Sequence, residues 1–200
     1  GVILIDGHFA LSEDEHSSVY VNKDAIYPHV TEISRLAGLL AFPFVNCKVE
    51  VVIAPAIGGC ILSNRVAEHL TMWSKGWGSH EVLGVYADKE GDDFVIRRGY
   101  DKVIRDKLVL VVEDVLTTGG SVKKVIGATR MAGGHVVGVG AICNRGNVTE
   151  QDLDIPRLEA LVSIKLEAWD EATCPLCKEN VPINTDVGKG REFLARKQIA

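Results

Sequence analysis

One thirteen-residue segment, 109–121, constrains the fold and the site more than any other feature of the chain. Val109–Val112 is an apolar run typical of a buried strand, and it is followed directly by Glu113 and Asp114. The turn Thr117–Ser121 comes next and leads into a helical pattern. In open α/β folds, ligands bind at the carboxyl ends of parallel strands. The segment therefore predicts a ligand site at the end of a buried strand.

The composition of this turn suits a phosphate group. It holds two glycines and three hydroxyl side chains: Gly119, Gly120, Thr117, Thr118 and Ser121. Glycines allow a tight turn that presents main-chain amides at a helix N-terminus, which favours anions. Carboxylates so close to this turn would repel a phosphate bound there. We therefore interpret Glu113 and Asp114 as acceptors for ribose hydroxyls or as partners of a metal.

Two other interpretations of the segment exist. It is compatible with a plain strand–turn–helix connection in which Thr117 or Thr118 is the N-cap. The acidic strand of a P-loop ATPase is set aside, because no Gly-x-x-x-x-Gly-Lys-Ser/Thr precedes it.

Short β-branched runs alternate with helical patterns through the middle of the chain, which predicts an α/β fold with a central parallel sheet flanked by helices. The predicted strands are Val49–Ala54, Glu81–Ala87, Lys107–Asp114 and Val136–Asn144, and the predicted helices are Val30–Leu40, Ser63–Leu70 and Val122–Ala132. We expect the polar stretch Asp88–Asp106 to be a long hairpin or a mobile loop, with a short strand at Phe94–Ile96. A length of 200 residues and 46% hydrophobic residues suit a single domain.

The two ends of the chain differ from this centre in mixing short extended segments with polar residues. We expect residues 30–150 to form the core and residues 1–29 and 158–200 to form a small hood, within one domain spanning 1–200.

Charge and hydropathy exclude several classes of partner. The formal net charge is −5 and the basic residues form no block, so nucleic acid is not an expected partner. The longest apolar runs fall far short of the roughly 20 residues that span a bilayer, so we expect no membrane segment. Five scattered cysteines suit reduced thiols better than a disulfide framework, and we expect a cytoplasmic protein.

The segment Val109–Ser121 resembles the phosphoribosyl-diphosphate (PRPP) motif of the type I phosphoribosyltransferases, and most of the chain resembles the members of that family that act on orotate. The resemblance implies the type I phosphoribosyltransferase fold. It also implies that Glu113 and Asp114 bind the ribose hydroxyls and that Thr117, Thr118, Gly119, Gly120 and Ser121 hold the 5-phosphate.

Other segments resemble further parts of the family pattern. Ala54–Gly59 is similar to the diphosphate loop, in which a non-proline cis peptide turns amides toward the ligand, and this implies PRPP binding by Ala56, Ile57 and Gly58. Lys89 takes the place of a catalytic lysine in the mobile loop. His8–Ser12 and Ser17–Lys23 resemble the hood. The base-binding residues implied are Arg145, Thr117, Tyr20 and Lys23, with Arg145 on the orotate carboxylate.

The implied activity is the transfer of a 5-phosphoribosyl group from PRPP to orotate. Mg²⁺ is the implied cofactor, held through PRPP and without direct protein ligands, and a homodimer is expected. The alternatives are a phosphoribosyltransferase for another base and a non-catalytic PRPP-sensing regulator. Relatives usually carry a further helix before the position of Gly1, so either the hood is incomplete or the chain has been trimmed.

The chain departs from the family pattern mainly by lacking cations. Asp88 precedes Lys89 where many relatives have arginine, and Gly58 and Ser12 each occupy the position of a lysine. Arg97 and Arg98 are candidates to supply the missing positive charge.

The pair Cys174-Pro-Leu-Cys177 favours a tight turn in a C-terminal hairpin. No histidine lies beyond His135 to complete a zinc finger in sequence order, and redox or intersubunit metal roles are the alternatives. The histidines show no ligand pairing. His8, His16 and His29 lie in the expected hood, where we favour surface or capping roles over a contact of His16 with ligand.

Overall fold

The structure is a computed structural model that describes residues 2–12, 14–74 and 80–199. The strands in this part of the chain are β1 (Ile3–Leu4), β2 (Phe9–Ala10), β3 (Glu15–Ser17), β4 (Tyr20–Val21), β5 (Val51–Pro55), β6 (Leu83–Glu90), β7 (Asp93–Val95), β8 (Leu108–Leu116), β9 (His135–Asn144), β10 (Leu158–Ser163) and β11 (Trp169–Asp170). The helices are α1 (Val30–Ala41), α2 (Gly58–Ser74), α3 (Tyr100–Ile104), α4 (Gly120–Met131), α5 (Glu150–Leu153), α6 (Pro175–Lys178) and α7 (Gly190–Ile199). Lys23–Ala25 and Phe42–Cys47 are 3₁₀ helices.

The described chain divides into two compact units. The core unit is His29–Ile164, and the terminal unit combines Gly1–Pro28 with Lys165–Ala200. No helix in the described ranges has both the length and the apolar character needed to cross a bilayer.

A six-stranded sheet in the order β10-β9-β8-β5-β6-β7 forms the centre of the core unit. All pairs are parallel except β6 with β7, which form an antiparallel hairpin at one edge. The predicted parallel sheet with flanking helices is therefore confirmed.

The central strands are buried on both faces, as parallel sheets require. On one face, Val51 of β5, Val109 of β8 and Val139 of β9 belong to one apolar cluster with Ile104 of α3 and Val125 of α4. On the other face, α1 and α2 pack closely enough that glycines of the sheet face them. A Cβ on Gly140 would lie 3.1 Å from Leu40 in α1, and one on Gly84 would lie 2.9 Å from the Cα of Asn64 in α2.

Some element bounds differ from those predicted. Helix α2 begins at Gly58, five residues before the predicted helix, and strand β6 runs on to Glu90. The segment 88–106 contains the predicted hairpin, with β7 at Asp93–Val95, followed by α3. Leu158–Ser163, expected in the hood, is instead strand β10, because it pairs in parallel with β9 at the edge of the core sheet.

The terminal unit is built from short antiparallel pieces. Strands β11, β3 and β2 form one small sheet, and β1 pairs with β4. Phe9, Ala10 and Phe193 are its buried hydrocarbon side chains among the described residues. His8, His16 and Cys174 are buried in the same unit.

Candidate active site

The loops after three neighbouring strands of the core unit meet at one edge of the sheet. Strand β6 lies on one side of β5 in the sheet, and β8 lies on the other side of β5. The carboxyl ends of β5 and β8 therefore flank a topological switch point. The amide of Ala56 after β5 donates to Ala87 O at 2.8 Å, and the amide of Arg145 after β9 donates to Leu116 O at 2.9 Å. These hydrogen bonds fix both loops to the strands beside them.

The two acids predicted to bind ribose lie within β8, and both are buried. Glu113 is 8% exposed and Asp114 is 3% exposed. Each carboxylate accepts a hydrogen bond from the next amide, Glu113 Oε1 from Asp114 N at 3.1 Å and Asp114 Oδ1 from Val115 N at 2.7 Å. Such main-chain donors hold each side chain in one orientation.

The turn after β8 leads into α4 with no side-chain cap. Gly119 is the N-cap residue, at a φ of 74°, in the left-handed region that glycine tolerates. Gly120 N lies 3.4 Å from Thr118 Oγ1, at the limit of a hydrogen bond. The interpretation of Thr117 or Thr118 as N-cap is therefore wrong. Because Gly119 has no side chain to cap α4, the amides of Ser121 and Val122 are available to an anion, beside the exposed side chains of Thr117, Thr118 and Ser121.

The loop after β5 has the backbone feature expected from the family resemblance, since the peptide bond between Ala56 and Ile57 is cis. The Ile57 side chain is exposed, and Gly58 begins α2. Gly59 approaches the preceding strand closely, because a Cβ at this position would lie 2.6 Å from the Cβ of Ala54.

Lys89 lies on the β6–β7 hairpin, opposite Phe94, with an exposed side chain. The arginines considered as additional cations are paired with acids of β6. Arg98 lies 3.3 Å from Asp88, which raises the pKa of Arg98, and Arg97 pairs with Glu90. The positive charge of both arginines is thus partly neutralised within the hairpin.

Arg145 is half-buried at the end of β9. The neighbouring Asn144 fixes its loop, donating from Nδ2 to Val148 O at 2.8 Å and accepting from Val148 N at 3.0 Å. Sequence reasoning treated Asn144 only as the end of a strand. The signal available in the sequence was an asparagine at the end of a predicted strand, followed directly by Arg-Gly.

The structure brings Glu113, Asp114, the turn and Arg145 together on adjacent strands of the core unit. Tyr20 and Lys23 belong to the terminal unit. Tyr20 lies in β4 with its ring centroid 5.7 Å from that of Phe9, and Lys23 begins a 3₁₀ helix. Their roles at the base stay predictions.

Buried acids followed by a helix N-terminus, at the switch point of a parallel sheet, suit a ligand that carries both hydroxyl and phosphate groups. The chain belongs to the phosphoribosyltransferase family, since residues 23–171 match the family described as "Phosphoribosyl transferase domain".

Curated relatives and solved structures show which members of the phosphoribosyltransferase family this chain is similar to. Orotate phosphoribosyltransferase of Caldanaerobacter subterraneus subsp. tengcongensis is 38% identical, with 90% of this chain and 88% of the relative covered. The enzyme of the same name from Thermotoga maritima is 37% identical, with 94% and 93% covered. The crystal structure of orotate phosphoribosyltransferase from Aeropyrum pernix has a TM-score of 0.64 at 26% identity, covering 82% of this chain and 89% of that one. These relatives place the chain among the orotate phosphoribosyltransferases of the family.

Proposed function

We propose that this chain transfers the 5-phosphoribosyl group of PRPP to orotate, giving orotidine 5-monophosphate and diphosphate, a step of pyrimidine nucleotide synthesis. The observation that carries the proposal is the meeting of the acids, the phosphate-binding turn and Arg145 at one sheet edge. The curated relatives, which bear the name orotate phosphoribosyltransferase over most of the chain, support the choice of base.

Glu113 and Asp114 hold the sugar. Ionised carboxylates only accept hydrogen bonds, and ribose hydroxyls are donors that match them. Positive charge develops on the ribose ring as the bond to diphosphate breaks, and two buried carboxylates stabilise that charge. The 5-phosphate is bound by the amides at the start of α4 and the hydroxyls of Thr117, Thr118 and Ser121.

The diphosphate leaves from the side of the loop after β5. The amides of Ile57 and Gly58 and the ammonium group of Lys89 are the donors assigned to it. The amide of Ala56 holds the loop in place by donating to Ala87 O at 2.8 Å. The oxygen-rich site also fits Mg²⁺, because the ion prefers oxygen ligands and the two carboxylates assigned to the ribose are buried together in β8. When bound through PRPP, Mg²⁺ would neutralise charge on the diphosphate.

Arg145 binds the carboxylate of orotate through its planar guanidinium. Orotate is an anion that already carries a nucleophilic ring nitrogen, so the protein has to position the base and needs no strong general base. The hairpin that carries Lys89 excludes water when it closes on the substrates, which limits hydrolysis of PRPP. We further propose that the enzyme is cytoplasmic and acts as a homodimer.

Diphosphate release tests the proposal. The purified protein is incubated with PRPP, Mg²⁺ and one base at a time from a panel of orotate, uracil, adenine and hypoxanthine. We expect turnover with orotate, and none in an Asp114→Asn variant purified identically, which controls for contaminating enzymes. Faster turnover with another base would overturn the choice of orotate. PRPP binding without turnover on any base would favour the regulator.

A further inference from the structure

Four side chains of types that ligate metals meet inside the terminal unit, and none of them is among the residues assigned to the reaction. His8 comes just before β2, His16 lies in β3, and Cys174 and Cys177 lie at the start of α6. One ligand atom from each lies within 4.8 Å of the others. The expectation that the histidines show no ligand pairing is wrong, because His8 Nε2 and His16 Nδ1 are 2.9 Å apart within this group.

The spacing of these atoms matches a tetrahedral ion. Zn–N bonds of about 2.0 Å and Zn–S bonds of about 2.3 Å put neighbouring ligand atoms about 3.3–3.8 Å apart at a tetrahedral centre. The Sγ atoms of Cys174 and Cys177 each lie 3.6 Å from His8 Nε2, and Cys177 Sγ lies 3.2 Å from His16 Nδ1. Small shifts of the side chains would therefore admit a zinc ion at their centre.

The hydrogen bonding of His8 prepares it as a ligand. His8 Nδ1 lies 2.8 Å from the carbonyl oxygen of Val181, which only accepts, so Nδ1 carries the proton in the neutral ring. The lone pair on Nε2 then points into the cluster. Histidine ligands in metal sites are held by such a bond from the other ring nitrogen.

His16 has no comparable explanation as an ordinary core residue. It is fully buried, and its Nε2 has no hydrogen-bond partner within the described ranges. Buried polar groups without partners are costly, and a metal ion bound to the other ring nitrogen, Nδ1, which faces the cluster, would give this buried histidine a role.

A small unit made from two chain ends also needs a cross-link. Its buried hydrocarbon side chains among the described residues are Phe9, Ala10 and Phe193, a core far smaller than that of the central sheet. A core this small supplies little stability, and a disulfide or a metal commonly supplements it in units of this size. His8 and Cys174 are 166 residues apart in sequence, so one ion would join both ends.

We infer that His8, His16, Cys174 and Cys177 form a structural zinc site that ties the N-terminal segment to the C-terminal segment. The donor set of two imidazoles and two thiolates selects zinc, and four protein ligands leave no open position for substrate, which is typical of structural sites. The site is independent of the proposed reaction.

The first test measures metal in the wild-type protein. The full chain, purified without chelator and then passed through metal-free buffer, is analysed by inductively coupled plasma mass spectrometry. We expect about one zinc per chain, as a closed four-ligand site requires. Replacement by Co²⁺ should give the strong visible absorption of a tetrahedral ion together with a thiolate-to-cobalt charge-transfer band. Absence of bound zinc after incubation with Zn²⁺, or a Cys174–Cys177 disulfide by mass, would overturn the inference.

The second test uses matched cysteine variants. Cys177→Ser should weaken zinc binding at least about 100-fold, since loss of a supporting partner alone costs about 10–100-fold. Cys47→Ser removes another half-buried thiol, in the core unit, and should keep the full zinc content. Circular dichroism establishes that each variant is folded. If Cys177→Ser unfolds, the cobalt spectrum of the wild type still decides the question, because a charge-transfer band requires thiolate ligands.

Discussion

A Cβ atom added to Gly146 would lie 1.5 Å from the carbonyl oxygen of Thr117. The loop that holds Gly146 also donates from Arg145 N and Gly146 N to Leu116 O, at 2.9 and 3.2 Å. The loop after β9, which presents the arginine proposed to bind the base, is thus packed against the turn after β8, which is proposed to bind phosphate. The two halves of the site are therefore joined through their backbones.

Gly146→Ala should damage both halves, because the added methyl group cannot fit without moving the turn. We expect kcat/KM for PRPP to fall about 100-fold, the effect of a displacement of about 1 Å in an active site. The free energy of unfolding should fall by about 1–3 kcal/mol from overpacking. Steady-state kinetics and urea unfolding measure these two effects.

Gly127→Ala is the matched control. A Cβ at Gly127 meets nothing within 4 Å, and the residue lies inside α4. Alanine should leave the kinetics unchanged and stabilise the helix by up to about 1 kcal/mol. Wild-type kinetics in Gly146→Ala would show that the two loops separate freely, against the arrangement described.

Asp88→Asn should strengthen PRPP binding. Asp88 neutralises Arg98 at 3.3 Å, and it directly follows Ala87, whose carbonyl holds the loop after β5. Removing its charge leaves Arg98 available to the diphosphate. We expect the KM for PRPP to fall by up to about fivefold at low salt, the range of an exposed ion pair, and less at high salt.

Asp154→Asn provides the comparison for this effect, since Asp154 pairs with Arg130 near the other end of α4. It makes the same change in net charge and should leave the KM for PRPP unaltered. An equal decrease in both variants would mean that net charge, and not the position of Asp88, controls binding.

Glu50 should make stability depend on pH. Its carboxylate accepts from Lys107 Nζ at 2.8 Å and from Leu108 N at 3.0 Å, and these bonds lower the pKa of Glu50 below its ordinary value. A lowered folded-state pKa means that the stabilisation is present above the unfolded-state pKa and is lost as the pH falls through the folded-state pKa.

Glu50→Gln should therefore cost about 0.5–1 kcal/mol at neutral pH, a value discounted for partial exposure, and progressively less toward about pH 3. Urea unfolding of both proteins across this range measures the difference. Glu32→Gln, which alters an exposed pair with Arg35, should show almost no effect. A constant difference between wild type and Glu50→Gln would refute the assignment.

The central sheet was predictable because its strands are continuous apolar runs, a local property of the sequence. The start of α2 was not, since Gly58 and Gly59 are poor helix formers and α2 begins there only because the chain turns at the end of β5. The pairing of Leu158–Ser163 with β9 could not be predicted from the sequence, because it depends on tertiary structure.

The segment that brings the acids of β8 together with the turn proposed to bind phosphate could be located for the same local reason, since its acids, glycines and hydroxyls lie within a few residues of one another. The cluster of His8, His16, Cys174 and Cys177 was not, because its two halves come from opposite chain ends and reverse the usual order of a zinc finger. The pairing of Arg97 and Arg98 with acids of β6 likewise required the register of the hairpin.

Arg145→Ala should act on the base alone. Arg145 directly follows β9, in the loop held against β8. Loss of a charge-assisted hydrogen bond to a carboxylate costs about 1.5–3 kcal/mol, or about 10–100-fold in the KM for orotate. The KM for PRPP should change little, because the sugar and phosphate contacts come from β8 and α4. Arg35→Ala, an exposed arginine of α1, controls for the loss of one positive charge. An unchanged KM for orotate in Arg145→Ala would remove Arg145 from the base site and leave the choice of base to the contacts of Tyr20 and Lys23.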